Sequence, residues 1–160
     1  MSGTIIYEGM DPADVALADL IARHAAHSAA HYPADSNHNQ DAAALAADGL
    51  VMFVGRVGRV GHGGPVVAMG GYKRIAPGQG EVKSMHVAQT ARGHGAGAHI
   101  LGLILEHARA AGLDRLSLET GSLPVSGAAR RLYERAGFTD CPPFGSYSPD
   151  PMSVFMSRAL

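Results

Sequence analysis

ARGHGAG, residues 91–97, opens a segment that becomes helical in pattern from His99 to Gly112 (HILGLILEHARAAG). Gly93, Gly95 and Gly97 stand at alternate positions where a helix must start. Each glycine inside a helix costs about 1 kcal/mol against alanine, so the run needs a compensating use. A helix start leaves backbone N–H groups unpaired and carries about half a positive charge. Glycines let those groups approach an anion without a Cβ in the way, and Arg92 adds a full charge. A strand feeding such a turn suits a diphosphate. The spacing GxGxG does not fit the dinucleotide fingerprint GxGxxG, and no lysine completes a mononucleotide P-loop.

Outward from this run the chain alternates strands and helices. Upstream, EVKSMHV (81–87) reads as a strand, with Glu81, Lys83, Met85 and Val87 on one face and Val82, Ser84 and His86 on the other. On that alternation only one of Glu81 and His86 can face a given cleft. VMFVGRV (51–57) and PVVAMGGYKRI (65–75) form a hairpin pattern around GRVGHGG (58–64), and APGQG (76–80) supplies a second turn. TIIYE (4–8) is a first strand. Asp11-Pro12 then has the chemistry of a helix N-cap and N1, and a short alanine-rich helix is expected over Ala42–Ala47.

Downstream, Leu101, Ile104, Leu105 and Ala108 make the apolar stripe of the long helix, and Gly112 suits its C-cap. LSLET (116–120) is a strand and SGAARRLYERAG (126–137) a helix. Residues 138–141 and 153–157 complete the pattern. The order β-α-α-β-β-β-α-β-α-β-β predicts an α/β (α+β) fold: a mixed sheet with helices on both faces.

Composition bounds the function. A length of 160 residues suits one domain spanning 1–160. One cysteine excludes an internal disulfide and agrees with a cytoplasmic setting. No stretch has the character of a signal peptide or a membrane span. Thirteen basic residues against fourteen acidic ones, without a basic patch, argue against nucleic acid. His24, His27 and His31 continue the stripe of Leu17 and Leu20, with His38 in the following loop. Without cysteines or an HExxH order, these histidines read as lining a cleft or core and not as metal ligands.

RGHGAG matches the [QR]xxGx[GA] motif of the GNAT superfamily of acetyl-CoA-dependent N-acetyltransferases, and LYERAGF (132–138) resembles its second signature. The element order resembles the GNAT fold over the whole chain, which implies a mostly antiparallel central sheet of six to seven strands. EVKSM, LSLETG and CPPFGSYSPDPMSVFM are similar to a small bacterial subgroup.

The resemblance implies a cofactor site and a mechanism. Acetyl-CoA is the expected co-substrate and a primary amine of a small molecule the expected acceptor, with no metal. The pyrophosphate would sit on Arg92, Gly93, His94, Gly95, Ala96, Gly97 and Ala98. The pantetheine would pair along Met85, His86 and Val87, with the Val87 N–H polarising the thioester carbonyl. Tyr133 matches the tyrosine near the CoA sulfur and would be the general acid. Glu81 is the expected base, with His86, water and the neighbouring Glu119 as alternatives.

Ser126 replaces an asparagine that often helps to hold the cofactor, and it could instead cap its helix. His27, His31 and Tyr32 on the first helix and its loop would contact the acceptor, with Phe144 and Tyr147 on the opposite wall. Lys83 and Arg74 are candidates to meet an acidic group on the acceptor. Members of the superfamily often pair as homodimers, although no stretch here marks an interface. Two other readings fit the same resemblance, a CoA-binding sensor without transferase activity and a protein-lysine acetyltransferase.

Overall fold

The computed structural model describes residues 3–58 and 63–160. The expected turn at 58–64 lies partly outside them. Seven strands form a single sheet: β1 (Ile5–Met10), β2 (Val51–Val57), β3 (Val66–Ala76), β4 (Gln79–Val87), β5 (Arg115–Gly121), β6 (Thr139–Asp140) and β7 (Ser153–Ala159). Their order is β1-β2-β3-β4-β5-β7-β6, antiparallel throughout except between β4 and β5. Helices α1 (Ala18–His31) and α2 (Ala42–Ala47) cover one face, and α3 (Ala96–Ala110) and α4 (Gly127–Arg135) the other.

Each face has its own apolar layer. Leu17, Leu20 and Ile21 pack with Leu45, Met52, Val54 and Met69 beneath α1 and α2. Ile100, Leu101, Ile104 and Ala108 of α3 pack with Ala68, Tyr72, Leu116, Leu118 and Phe138 on the other side. The exposed set opposite that stripe is His99, Gly102, Glu106 and Arg109, as the helical period requires. Gly112, at φ +85°, takes the left-handed position that ends α3.

Three details differ from the sequence reading. The first helix does not start at Asp11. Asp11 accepts from the Ala13 N–H in a local turn, and Asp14 caps the 3-10 turn Val15–Leu17 that feeds α1. Asp-Pro is turn chemistry as well as helix-start chemistry, and here the turn prevails. Ser126 does not cap α4 with its side chain. It bonds instead to Tyr32, 94 residues earlier.

The third difference reorganises β4. Lys83 is opposite Gly71, whereas His86 is opposite Met69, so β4 holds one residue more than β3 over the same span. Ser84, at φ +60°, absorbs the extra residue as a β-bulge. Gly71 and Met69 are two apart on one strand and share a face, so Lys83 and His86 share it too. Glu81, Lys83 and His86 therefore face α1 together, and Met85 turns to the α3 side against Gly70 and Ile100. The alternation that set Glu81 and His86 on opposite faces fails at this residue.

Candidate active site

β4 and β5 run parallel but pair only from Gln79–Glu81 to Arg115–Ser117. Beyond these three pairs the strands separate, and the gap widens into a cavity of about 700 Å³. Its walls are Glu81–Val87 of β4, Glu119–Gly121 of β5, the loop before α3, α4, and α1 with its following loop.

At one end lies the glycine run. Gly93 and Gly95 have φ of +79° and +76°, a region that side chains with a Cβ rarely enter. A Cβ at either would meet no atom within 4 Å, so the conformation and not crowding demands glycine. Gly97 differs, because a Cβ there would press on Leu132 at 3.2 Å. The first N–H of α3 bonded inside the helix is that of His99, to the Gly95 carbonyl. The N–H groups of Ala96, Gly97 and Ala98 have no acceptor among the described residues, which is the normal state of a helix start. Arg92 crosses back to the Val87 carbonyl at 3.1 Å. His94 turns its ring onto the Arg92 carbonyl at 2.9 Å and does not line the cavity. Ala88 donates its N–H to Val67 on β3. By the alternation of an extended chain, the N–H groups of Val87 and Met85 point to the opposite edge, into the gap.

At the other end sits a carboxylate pair. Glu81 is 5% exposed. Its Oε1 accepts from the Tyr147 hydroxyl at 2.6 Å and lies 3.8 Å from Lys83 Nζ. Burial pushes the Lys83 ammonium down, with the Glu81 charge acting the other way. Glu119 lies on the same face of β5, two residues after Ser117, the partner of Glu81. Burial raises its carboxyl above the ordinary range, against the opposing pull of His38 and a bond from Ser153. Alternation along LSLET could have grouped Glu119 with Glu81, had the β4–β5 register been known.

Tyr133 is buried on α4, and its ring meets Phe138 edge-on. Burial and then the charge of Glu119 push its hydroxyl well above the usual tyrosine range. The expected acceptor residues divide. His27, Tyr32, Lys83 and Tyr147 line the cavity. His31 is exposed and leans on His27, with ring centroids 4.8 Å apart. Phe144 stands behind Tyr147, packed on Phe155, and Arg74 bonds to the Ala111 carbonyl at the end of α3. None of those three lines the cavity.

A roof closes the acceptor side. Tyr32 reaches from the end of α1 over Gly121 to the Ser126 hydroxyl (2.7 Å) and the Leu123 N–H (3.1 Å). A Cβ at residue 121 would collide with the Tyr32 ring. Ser36 bonds Asp150, and His38 meets Tyr147 edge-on. Among the described residues no group of three His, Cys, Asp or Glu side chains has the geometry to hold a metal. No helix among them is long and apolar enough to cross a membrane.

Sequence and fold comparisons agree with this geometry. The model of the Acetyltransferase (GNAT) family matches residues 16–138. An IAA acetyltransferase of Azospirillum brasilense is 44% identical over 130 residues, covering 81% of this chain and 80% of its own. A Klebsiella pneumoniae structure superposes with a TM-score of 0.78 at 26% identity, covering 98% of both chains. The yncA protein of Salmonella typhimurium, solved with its cofactor acetyl-CoA, gives 0.68 at 22% identity, covering 97% of this chain and 93% of that one. With its split sheet, its left-handed glycines and a family match over 16–138, the chain belongs to the Acetyltransferase (GNAT) family and is an acyltransferase that uses acetyl-CoA.

Proposed function

We propose that the protein acetylates a primary amine of a small molecule by direct attack in a ternary complex, within the cytoplasm. One observation carries this reading: a single cavity joins the glycine cradle to the buried Glu81 carboxylate, with half-buried Glu119 on its wall. Left-handed Gly93 and Gly95, the free N–H groups of Ala96–Ala98 and the nearby Arg92 fit a diphosphate. Bound there, acetyl-CoA supplies an activated acetyl thioester.

The protein's own groups do the rest. The N–H of Val87 donates to the carbonyl oxygen as negative charge develops on it, while that of Met85 is free to pair with the cofactor's chain. Glu81, anchored by Tyr147, takes the proton that the ammonium must lose before attack. Tyr133 keeps its proton at working pH because its affinity for it is raised. It offers that O–H to the departing thiolate, more as a hydrogen-bond donor than as a strong acid. Lys83, which lines the cavity, receives a carboxylate on an amino-acid-like acceptor in this reading. The roof of Tyr32, Ser36 and His38 supports a small acceptor over a polypeptide.

Thermal unfolding with acetyl-CoA, CoA, NAD and ATP added separately tests the cofactor half. Ligand at 100 times its Kd stabilises by about 2.7 kcal/mol. A shift confined to the two CoA species supports the reading, and an equal shift with ATP or NAD removes it. An amine screen with acetyl-CoA then tests the acceptor half, with IAA run beside the amines because a relative is named for it.

A further inference from the structure

The histidine stripe of α1 has a use that catalysis by Glu81 and Tyr133 leaves unassigned. His24 Nδ1 lies 3.2 Å from His86 Nδ1, across 62 residues of sequence. Two imidazoles joined nitrogen to nitrogen need one proton between them, so neutral rings must take opposite tautomers. Both are neutral, since burial and their positively charged or protonatable neighbours press each down to about 4. Those neighbours are His27 for His24, and His24 itself, Arg92, His27 and Arg23 for His86.

Two surroundings decide which ring holds the shared proton. His24 is half-buried, and Asn39 of the loop above stands with it on the cavity wall, where an amide oxygen favours an N–H on the ring. With Nδ1 committed to His86, that N–H is on Nε2, and His24 Nδ1 is left as the acceptor. On the other side, Arg92 faces His86 within the same cavity. A cation favours a lone pair directed toward it over an N–H. His86 Nε2 has no protein partner among the described residues, and His86 lines the cavity.

We propose that His24 is a positioning residue: through the Nδ1–Nδ1 bond it holds His86 in the Nδ1–H tautomer, so that His86 Nε2 presents a lone pair to the cavity and accepts an N–H of the acceptor amine. This rests on the acetyl-transfer reading for its ligand, but not for its tautomer. His86 then orients the amine while Glu81 removes its proton. A ring that protonates only near 4 suits the first task better than the second.

The test is long-range ¹H–¹⁵N correlation of the histidine-labelled protein at neutral pH. We expect His86 as the Nδ1–H form and His24 as the Nε2–H form. His24→Asn, whose side-chain oxygen stands where Nδ1 stood, keeps the His86 tautomer, whereas His24→Leu releases it. An Nε2–H signal for His86 in the wild type, or a tautomer unmoved by His24→Leu, overturns the proposal. Should His24→Leu fail to fold, the wild-type and His24→Asn spectra still decide. For the ligand half, n-butylamine added to the CoA-saturated protein should move the His86 Nε2 resonance, while tetramethylammonium, which has no N–H, should not. Equal responses to both, or none, refute the amine-facing role. Absence of acetyl transfer to any amine would sink the functional reading and leave the tautomer result standing.

Discussion

The Tyr147 hydroxyl donates to Glu81 Oε1 at 2.6 Å, tying the loop before β7 to the strand that faces the glycine cradle. Burial and the Glu81 carboxylate both push the tyrosine hydroxyl far above its ordinary range, so it remains a donor in alkaline solution. Tyr147→Phe removes a hydrogen bond to a charged, buried group, worth about 1.5–3 kcal/mol. The ring keeps its packing on Phe144 and Phe155, so the fold survives. The expected result is a fall in kcat of roughly tenfold or more with the acetyl-CoA Kd unchanged, measured by steady-state kinetics and calorimetry. Unaltered turnover would show that Glu81 needs no anchor.

Tyr133→Phe separates chemistry from binding. Loss of a proton donor at the leaving group is expected to lower kcat about 10²-fold, while the phosphate cradle still holds the cofactor. Comparing kcat with the acetyl-CoA dissociation constant tells the two apart, and an intact kcat takes Tyr133 out of the mechanism.

Two glycines of one segment should behave in opposite ways. Gly95→Val forces a branched side chain to φ +76° at a cost of about 1–3 kcal/mol, so CoA affinity should drop at least about tenfold. Gly102 sits mid-helix in α3 with open space around it. Gly102→Ala should therefore stabilise by about 1 kcal/mol, raising Tm by roughly 2–4 °C without touching CoA affinity. Calorimetry and thermal melts on both variants give the contrast directly.

Acid should unfold the protein through its histidine pair. His24 and His86 protonate near 4 when folded, against 6.5 for their ordinary value. Between those values the unfolded chain binds more protons than the folded one, so stability rises with pH across this window and falls on acidification. Below about 4 the folded state protonates as well, and this contribution stops growing. Melting temperature recorded from pH 7 to 4 should decline, and His24→Asn should flatten the decline. An equal slope in the variant would assign acid sensitivity to other groups.

The elements were legible because they rest on local chemistry. Left-handed glycines at 93 and 95, the stripe from Leu101 to Ala108 and the stop at Gly112 announce themselves within a few residues. The site was legible only where it follows the backbone, as in the cradle. Nothing in EVKSMHV signals that Ser84 takes φ +60° and shifts His86 to the face of Glu81. A serine between alternating residues has no turn signature, and the bulge follows from pairing with β3 and the space left by Gly70. Other partnerships span long separations: Tyr147 with Glu81, Tyr32 with Ser126, His24 with His86. Such pairs belong to the topology, which residue spacing does not reveal. Asp11 shows the converse limit, since its local chemistry suits two structures equally well.

The three-pair junction between β4 and β5 gives this sheet an edge in its own middle. Past Glu81 the amides of β4 that face the gap lack a neighbouring strand, as at the rim of any open sheet. Rims invite foreign strands and aggregation, but this one lines a cavity walled by α1, α4 and the loop before α3. Its amides should exchange with solvent deuterium early although they sit at the centre of the molecule. A slender, amide-bearing guest would slow that exchange by completing the ladder, and would thereby knit two half-sheets into one.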